Sequence, residues 1–473
     1  MQSGSLTESR LRVGTVLAYV LMFAVTIAAV AGIQSVGSGL HPIADERVPV
    51  TATLTEGDKD LFHVLLALAA IVISARLLGV VFGYLKQPPV IGEVVAGILL
   101  GPSFLGRVQP ELAALLFPAP IVPFLGILAQ LGVVLFMFTV GLELDTTLLR
   151  RRTHVIVAIS HASIIVPLLL GSAFALWLYP RFAVEGIAFD VFSLFLGIAM
   201  SVTAFPVLAR ILTDRGIQTT DLGVIAISCA AVGDVTAWCL LGFVVSFAEA
   251  RASDALTIPF LVAGYVVAMV VLVRPLLRFL ARRFEAGARE INLGFTVLML
   301  VLLLSALATE SIGIHALFGA FLAGALVPHD SALAREARTR IEELVVALLL
   351  PVFFAFTGLR TEIGLLDSTF EWLTCFAIIA IACAGKFGGS FVASRLVGLS
   401  WRDSAAIGIL MNTRGLMELV VLNIGLDLGV LSRTVFAMMV LMAVATTVAT
   451  SPILDLLVAP SAVAPPRGPS RRP

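Results

Sequence analysis

The sequence predicts an all-α polytopic membrane protein: thirteen core transmembrane helices in two inverted repeats with crossed, unwound helices, plus one extra N-terminal helix. Three observations predict it. The chain has 473 residues, of which 59% are hydrophobic and only 13% charged, well outside the range of a soluble domain. Its apolar residues fall in runs long enough to cross ~30 Å of hydrocarbon, separated by short polar or basic stretches. Motifs in the first half also recur, in the same order, in the second. Net charge is zero, so nothing points to a nucleic-acid partner.

Taken in order, the chain opens with a polar stub and an apolar segment from Val13 to Ile33, preceded by Arg10 and Arg12. The run is long and shows no A-x-A site, so it reads as a retained helix rather than a cleaved signal peptide. The stretch from Gln34 to Asp60 carries Asp45, Glu46, Glu56, Asp58 and Asp60, has no spanning pattern and reads as an extracytoplasmic loop; with the first helix it forms an N-terminal region, 1–60. The spanning segments follow near 61–82, 89–101, 122–142, 154–178, 190–212, 221–247, 256–280, 292–309, 313–327, 343–359, 370–395, 403–425 and 434–457. They make one membrane domain, 61–458, and residues 459–473 are a short cytoplasmic tail. Placing both termini in the cytoplasm puts the basic runs at Arg150–Arg152, Arg274–Arg289, Arg335–Arg340 and Arg467–Arg472 on the same, inner side.

The repeat is carried by three matches. Gly92-Glu-Val-Val-Ala-Gly97 returns as Gly319-Ala-Phe-Leu-Ala-Gly324, Phe136-Met-Phe-Thr139 as Phe354-Ala-Phe-Thr357, and Gly197-Ile-Ala-Met as Gly408-Ile-Leu-Met. They imply halves at 61–247 and 292–457, separated by a linker helix at 256–280. An odd number of helices before the second copy reverses its direction, and inverted repeats of this kind mark transporters whose site lies where the halves meet. The third match falls where both helices are expected to break. Ser201-Val-Thr-Ala-Phe-Pro206 removes a backbone donor at membrane depth, and Asn412-Thr-Arg-Gly415 puts polar residues and a glycine at the related place.

One acid stands out. Asp234 is the only carboxylate or base between Asp221 and Glu249, ~20 Å along a helix from residue 221 and so near the bilayer midplane. A carboxylate there costs on the order of 3 kcal/mol on insertion scales, so its default reading is an ion or proton pathway. Lys386 is the only ionisable side chain between Glu371 and Arg395, and Gly385, Gly388 and Gly389 around it let another helix approach. Arg414 lies at the second break, placed to neutralise half-helix C-terminal ends, with Glu418 at i+4; this pair reads equally well as structural support. Cys229, Cys239, Cys375 and Cys383 lack metal-ligand spacing and read as core filler, and no cofactor is implied.

Five motifs, PPVIGEVVAGILLGPSFLG at 88–106, LGVVLFMFTVGLELD at 131–145, SVTAFPVLARIL at 201–212, AISCAAVGDVTAW at 226–238 and MNTRGLMELVVLNIG at 411–425, make the chain resemble the monovalent cation/proton antiporters. The branch it is most similar to contains bacterial sodium/proton and potassium/proton antiporters and the plant cation/proton exchangers. The resemblance covers residues 61–457. It implies a homodimer in the plasma membrane, in which a dimerisation scaffold flanks a moving, ion-carrying core. It puts the family's cation-binding carboxylate on Asp234 and its core lysine on Lys386. Gly233 departs from the pattern, which usually has Asn or Asp before the essential Asp. So does the lack of a nucleotide-binding domain after the last helix, which removes that mode of ligand gating.

The expected activity is exchange of Na+ or K+ for H+ at Asp234, with Thr203, Ser201 and backbone carbonyls of the unwound helix completing an oxygen shell. No enzymatic chemistry is expected. Alternatives are a passive cation channel, a potassium efflux system and an organic-anion symporter on a related fold; a lone midplane acid with few polar neighbours argues against the symporter.

Overall fold

The computed structural model describes residues 21–22, 24–40, 57–142, 153–218, 220–249, 257–283, 288–312 and 315–457. The start of the first segment, the basic runs at 150–152 and 467–472, and the tail at 459–473 lie outside them. The described residues form helices and no strands. Ten helices are long and apolar enough to span a membrane, and three shorter apolar ones, Ala24–Gly37, Phe189–Ser201 and Ala316–Leu326, accompany them.

We label Ala24–Gly37 α1. Then come α2 Gly57–Tyr84, α3 Pro89–Leu100, the short α4 Leu105–Val108 and α5 Pro110–Leu116, and α6 Val122–Leu142. Next are α7 Thr153–Phe182, α8 Phe189–Ser201, α9 Phe205–Asp214 and α10 Asp221–Glu249. α11 Thr257–Ala268 passes through a π-turn into α12 Arg274–Arg283, followed by α13 Ala288–Ile312 and α14 Ala316–Leu326. α15 Ala332–Leu344 passes likewise through a π-turn, Val345–Leu349, into α16 Leu350–Leu359. The chain ends in α17 Thr369–Leu396, α18 Trp401–Met411, α19 Leu416–Asp427 and α20 Arg433–Leu457.

The structure corrects several sequence-based boundaries. The expected span 343–359 is the second part of a helix that starts at Ala332, so Arg335–Arg340 lie on a helix and not in a loop. That first part is amphipathic, with Arg338 and Arg340 paired to Glu342 and Glu336 at i+4, a pattern that a hydropathy window rejects. Both ends of the loop expected from Gln34 to Asp60 are helical, because α1 runs to Gly37 and α2 begins at Gly57; residues 41–56 lie outside the described residues. Of the four cysteines, Cys229 and Cys375 are buried filler, Cys383 is half-buried and Cys239 is exposed.

The helices pack as two groups. α2, α3, α6, α13, α14 and α16 form one; α7, α8, α10, α17, α18 and α20 form the other. Small residues set the closest seams, and they do so at positions related by the sequence repeat. A methyl group at Gly92 would collide with the Leu78 carbonyl on α2, and one at Gly319 with the Ser305 carbonyl on α13. Gly97 on α3 abuts Ala355 on α16, whereas Gly324 on α14 abuts Phe138 on α6. In the other group Gly197 lies against the Leu168 carbonyl of α7, and Gly408 against Phe387 of α17. In lipid, where no hydrophobic force draws helices together, backbone approach of this kind is a main source of association.

Arg76 on α2 shows how the membrane handles a local irregularity. Pro351 has no N–H for the Ala347 carbonyl, and the π-turn displaces its neighbours. The Arg76 guanidinium donates to Val346 O at 2.9 Å and Ala347 O at 3.2 Å. Gly97→Leu is expected to force α3 away from α16 and to cost about 1–3 kcal/mol or more. A thermal midpoint in detergent equal to wild type would contradict this packing.

Candidate functional site

The two expected breaks are present and they cross. α8 stops at Ser201, residues 202–204 are extended, and α9 restarts at Phe205 with Pro206 in its first turn, where a missing N–H costs nothing. α18 stops at Met411, and α19 restarts after Gly415. The extended pieces bond to each other: Ala204 N donates to Thr413 O at 3.0 Å and the Thr203 hydroxyl to Met411 O at 3.1 Å. Arg414 N donates to the Thr447 hydroxyl of α20 at 3.0 Å, and that hydroxyl sits 2.8 Å from Arg414 O. Backbone freed by unwinding is thereby satisfied inside the protein, the condition for breaking a helix at membrane depth.

The C-terminal end of α8 carries the negative end of its dipole, and two buried cations meet it. Arg414 donates to Ala199 O at 3.2 Å and Met200 O at 2.8 Å. Lys386 donates to Ser201 O, and also to Ser163 O on α7 at 3.1 Å. Both side chains are fully buried. Lys386 reaches this position because Gly385 lies against Pro167 and Gly389 against Ala162 and Val166 of α7; Gly388, by contrast, faces open space. Glu418, in the first turn of α19, accepts from Arg414 at 3.0 Å with both partners at 0% exposure.

Asp234 lies in the middle of α10 and is 4% exposed. Lys386 acts on it electrostatically, and the backbone N–H of Phe205, the opening residue of α9, is directed at it. That approach is not a well-formed hydrogen bond, and no other donor reaches either carboxylate oxygen. Next to it, a side chain at Gly233 would meet no atom within 4 Å. A buried polar group left unpaired is costly, so this arrangement marks a place for a proton or a ligand.

The structure therefore gathers all six residues singled out from the sequence, Asp234, Thr203, Ser201, Lys386, Arg414 and Glu418, around one crossing. It also distinguishes them. The Ser201 carbonyl is held by Lys386, and the hydroxyl protons of Ser201 and Thr203 go to Ile198 O and Met411 O, which leaves their oxygen lone pairs. Three further buried oxygens at the crossing are unpartnered, Asn412 Oδ1, Thr413 Oγ1 and the second carboxylate oxygen of Glu418, Oε2. The sequence showed Asn412 and Thr413 only as polar residues at a break; that their oxygens stay unpaired depends on how the two chains cross.

A bundle of membrane-spanning helices with paired broken helices around a buried acid defines an ion-exchanger fold. The match to the family "Sodium/hydrogen exchanger, transmembrane" covers residues 65–458, and the chain belongs to that family. It is 43% identical over 402 residues to the Na(+)/H(+) antiporter NhaS4 of Synechocystis sp., covering 84% of this chain and 98% of that protein. It is 39% identical over 400 residues to cation/H(+) antiporter 19 of Arabidopsis thaliana, and 33% over 396 residues to K(+)/H(+) antiporter 1 of Saccharomyces cerevisiae. Those alignments take in 84% and 82% of this chain but only 50% and 45% of the relatives, so the chain spans about half the length of the plant and yeast proteins. The sodium proton antiporter MjNhaP1 of Methanocaldococcus jannaschii superposes with a TM-score of 0.59 at 16% identity, over 84% of this chain and 96% of that one, and shows the shared fold.

Removing Arg414 strands Glu418 and two carbonyls in a dry interior. Arg414→Ala is expected to destabilise by about 3–5 kcal/mol, and adding Glu418→Ala should recover part of that loss. A double-mutant cycle by thermal unfolding in detergent measures it; additive losses would show that the pair is not coupled.

Proposed function

We propose that this protein is a secondary antiporter that exchanges a monovalent cation, Na+ or K+, for H+ at Asp234. The observation that carries the proposal is a buried carboxylate with both oxygens unpaired, set at the crossing of two broken helices. Asp234 binds either a proton or a dehydrated cation. Thr413 Oγ1, Asn412 Oδ1 and Glu418 Oε2, with the lone pairs of Thr203 and Ser201, are oxygens at the crossing available to complete the shell. Competition for one site couples the two fluxes without any catalysed chemistry. Sodium and potassium both stand as substrates, since relatives of this chain are named for each.

Two repeats, 61–247 and 292–457, joined by a linker helix at 256–280, account for the related glycine contacts. α3 pairs with α16 and α14 with α6, the exchange that a two-fold axis in the membrane plane requires. We read the α2–α3–α6–α13–α14–α16 group as the scaffold of a homodimer and the other as the moving core. With α19 taken into the core group through its contacts with α8 and α20, polar contact between the groups is sparse among the described residues: Gln87 to Val448 O, Asn423 to Thr357, and Arg360 to Asn423 and Asp427. The remaining contact is largely apolar and can slide without stranding hydrogen bonds. The setting we propose is a cell's inner or plasma membrane, with both termini cytoplasmic.

Asp234→Asn should abolish cation-driven proton movement and saturable cation binding while the protein stays folded. The assay is dequenching of a pH-sensitive dye in vesicles holding a pH gradient, challenged in turn with Li+, Na+, K+ and Rb+. Exchange retained by a normally expressed mutant would sink the mechanism, and conductance without proton movement in the wild type would make it a channel.

Charge balance supplies a second expectation. If the core carries one proton or one monovalent cation, and Lys386 keeps its proton against the α8 carbonyls, a full cycle moves no net charge. In proteoliposomes at fixed pH, a membrane potential imposed with valinomycin and a potassium gradient should leave the Na+ exchange rate unchanged. A sustained, potential-dependent flux would show that a second group, Lys386 foremost, exchanges protons.

A further inference from the structure

A second feature near α10 is unrelated to the ion chemistry. Between α1, α7, α8 and α10 lies a cavity of about 540 Å³. α1 precedes the stretch matched by the family, so the cavity is walled on one side by a segment the family does not define. That helix is docked and not merely adjacent. Val30, Ile33 and Leu40 pack on the core, and Gly37 lets the chain pass over the Phe189 ring, where any larger side chain would collide.

Each wall contributes residues at helical spacing, Ile27 and Ala31 on α1, Ile164 and Leu168 on α7, Leu194 and Ile198 on α8 and Leu240 and Val244 on α10, so the cavity is a slot along the helix axes. From Asp190 to Ile198 on α8 it runs about 12 Å at 1.5 Å per residue. Gln34, in the last turn of α1, and Asp190, in the first turn of α8, make its polar end. Thr26, His161 and Thr236 also line it, but each bonds to a carbonyl of its own helix, Met22 O, Val157 O and Val232 O, so the rest of the surface is overwhelmingly apolar. Water settles only where it finds two to four polar partners, and a half-open apolar groove between membrane helices favours an apolar filler. The slot lies among membrane-spanning helices, parallel to the chains of the surrounding lipid.

We propose that a phospholipid acyl chain occupies this slot, wedged between α1 and the helix that carries Asp234, with its headgroup at the Gln34–Asp190 end. The acyl chain supplies apolar contact between α1 and α10 across the slot that both helices line. Because Thr236 and Leu240 line the slot on α10, the bound lipid holds α1 to the core group of helices and not to the other. The proposal stands independently of the ion that is exchanged.

The test reconstitutes the full chain in bilayers doped with a phosphatidylcholine that bears a diazirine midway along one acyl chain, and maps the photolabelled peptides. Labelling is expected to concentrate on 24–37 and on 236–244. Ala31→Trp, which fills the slot, should lower labelling of 236–244 at least fivefold, and Leu240→Trp should do the same for 24–37. Labelling of those peptides no denser than on the lipid-facing sides of α2 and α11 would overturn the proposal from the wild-type map alone. So would labelling unchanged in both variants, or protection of the slot by residues 1–20 of the chain, which would make that segment the occupant.

Discussion

The structure depends on how one helix end is kept satisfied inside the membrane. α8 stops at Ser201 in the middle of the protein, and the carbonyls of Ala199, Met200 and Ser201 would be unpaired there. Arg414 takes the first two and Lys386 the third. Each unsatisfied group in hydrocarbon costs several kcal/mol, so without these cations the helix would have no reason to end where it does. Arg414 comes from the other broken segment and Lys386 from α17, so the same contacts that cap α8 also set where the crossing lies. Thr447 on α20 then fixes the Arg414 backbone from the far side.

This arrangement sorts charge by helix polarity. The cations gather at a carbonyl end, whereas Asp234 faces the opening N–H of α9 and Glu418 sits in the first turn of α19. Helix dipoles favour both placements. Of the four charges, Asp234 is the one whose charged atoms are all left without a hydrogen bond. Arg414 and Glu418 neutralise each other, and Lys386 is spent on carbonyls. The crossing thus places Lys386 and Arg414 on backbone carbonyls and leaves Asp234 without a well-formed hydrogen bond.

Much of this was legible in the sequence. The helical membrane class followed from composition, the two breaks from a proline and from a polar Asn-Thr-Arg-Gly run, and the importance of Asp234, Lys386 and Arg414 from the cost of placing charge in a bilayer. Legibility failed where the signal was not hydropathy. Helix α15 was hidden because its i+4 ion pairs look like a loop to an averaging window. Asn412 and Thr413 were visible only as polar residues at a break, since a side chain's free lone pairs are a property of its neighbours.

The sequence by itself determined that one acid would sit in the middle of a membrane-spanning helix and that two apolar segments would unwind, because both follow from chemistry local to the chain. Only the tertiary structure decided which carbonyl each cation holds. It also decided that the Ser201 carbonyl is spent while Thr413 Oγ1 is not, and that α1 leaves an apolar slot against α7, α8 and α10. These depend on where segments some 200 residues apart in the chain come to lie against one another, as the bond from Ala204 to Thr413 shows. Such contacts are fixed by backbone approach at small residues and by the absence of water to satisfy anything left unpaired.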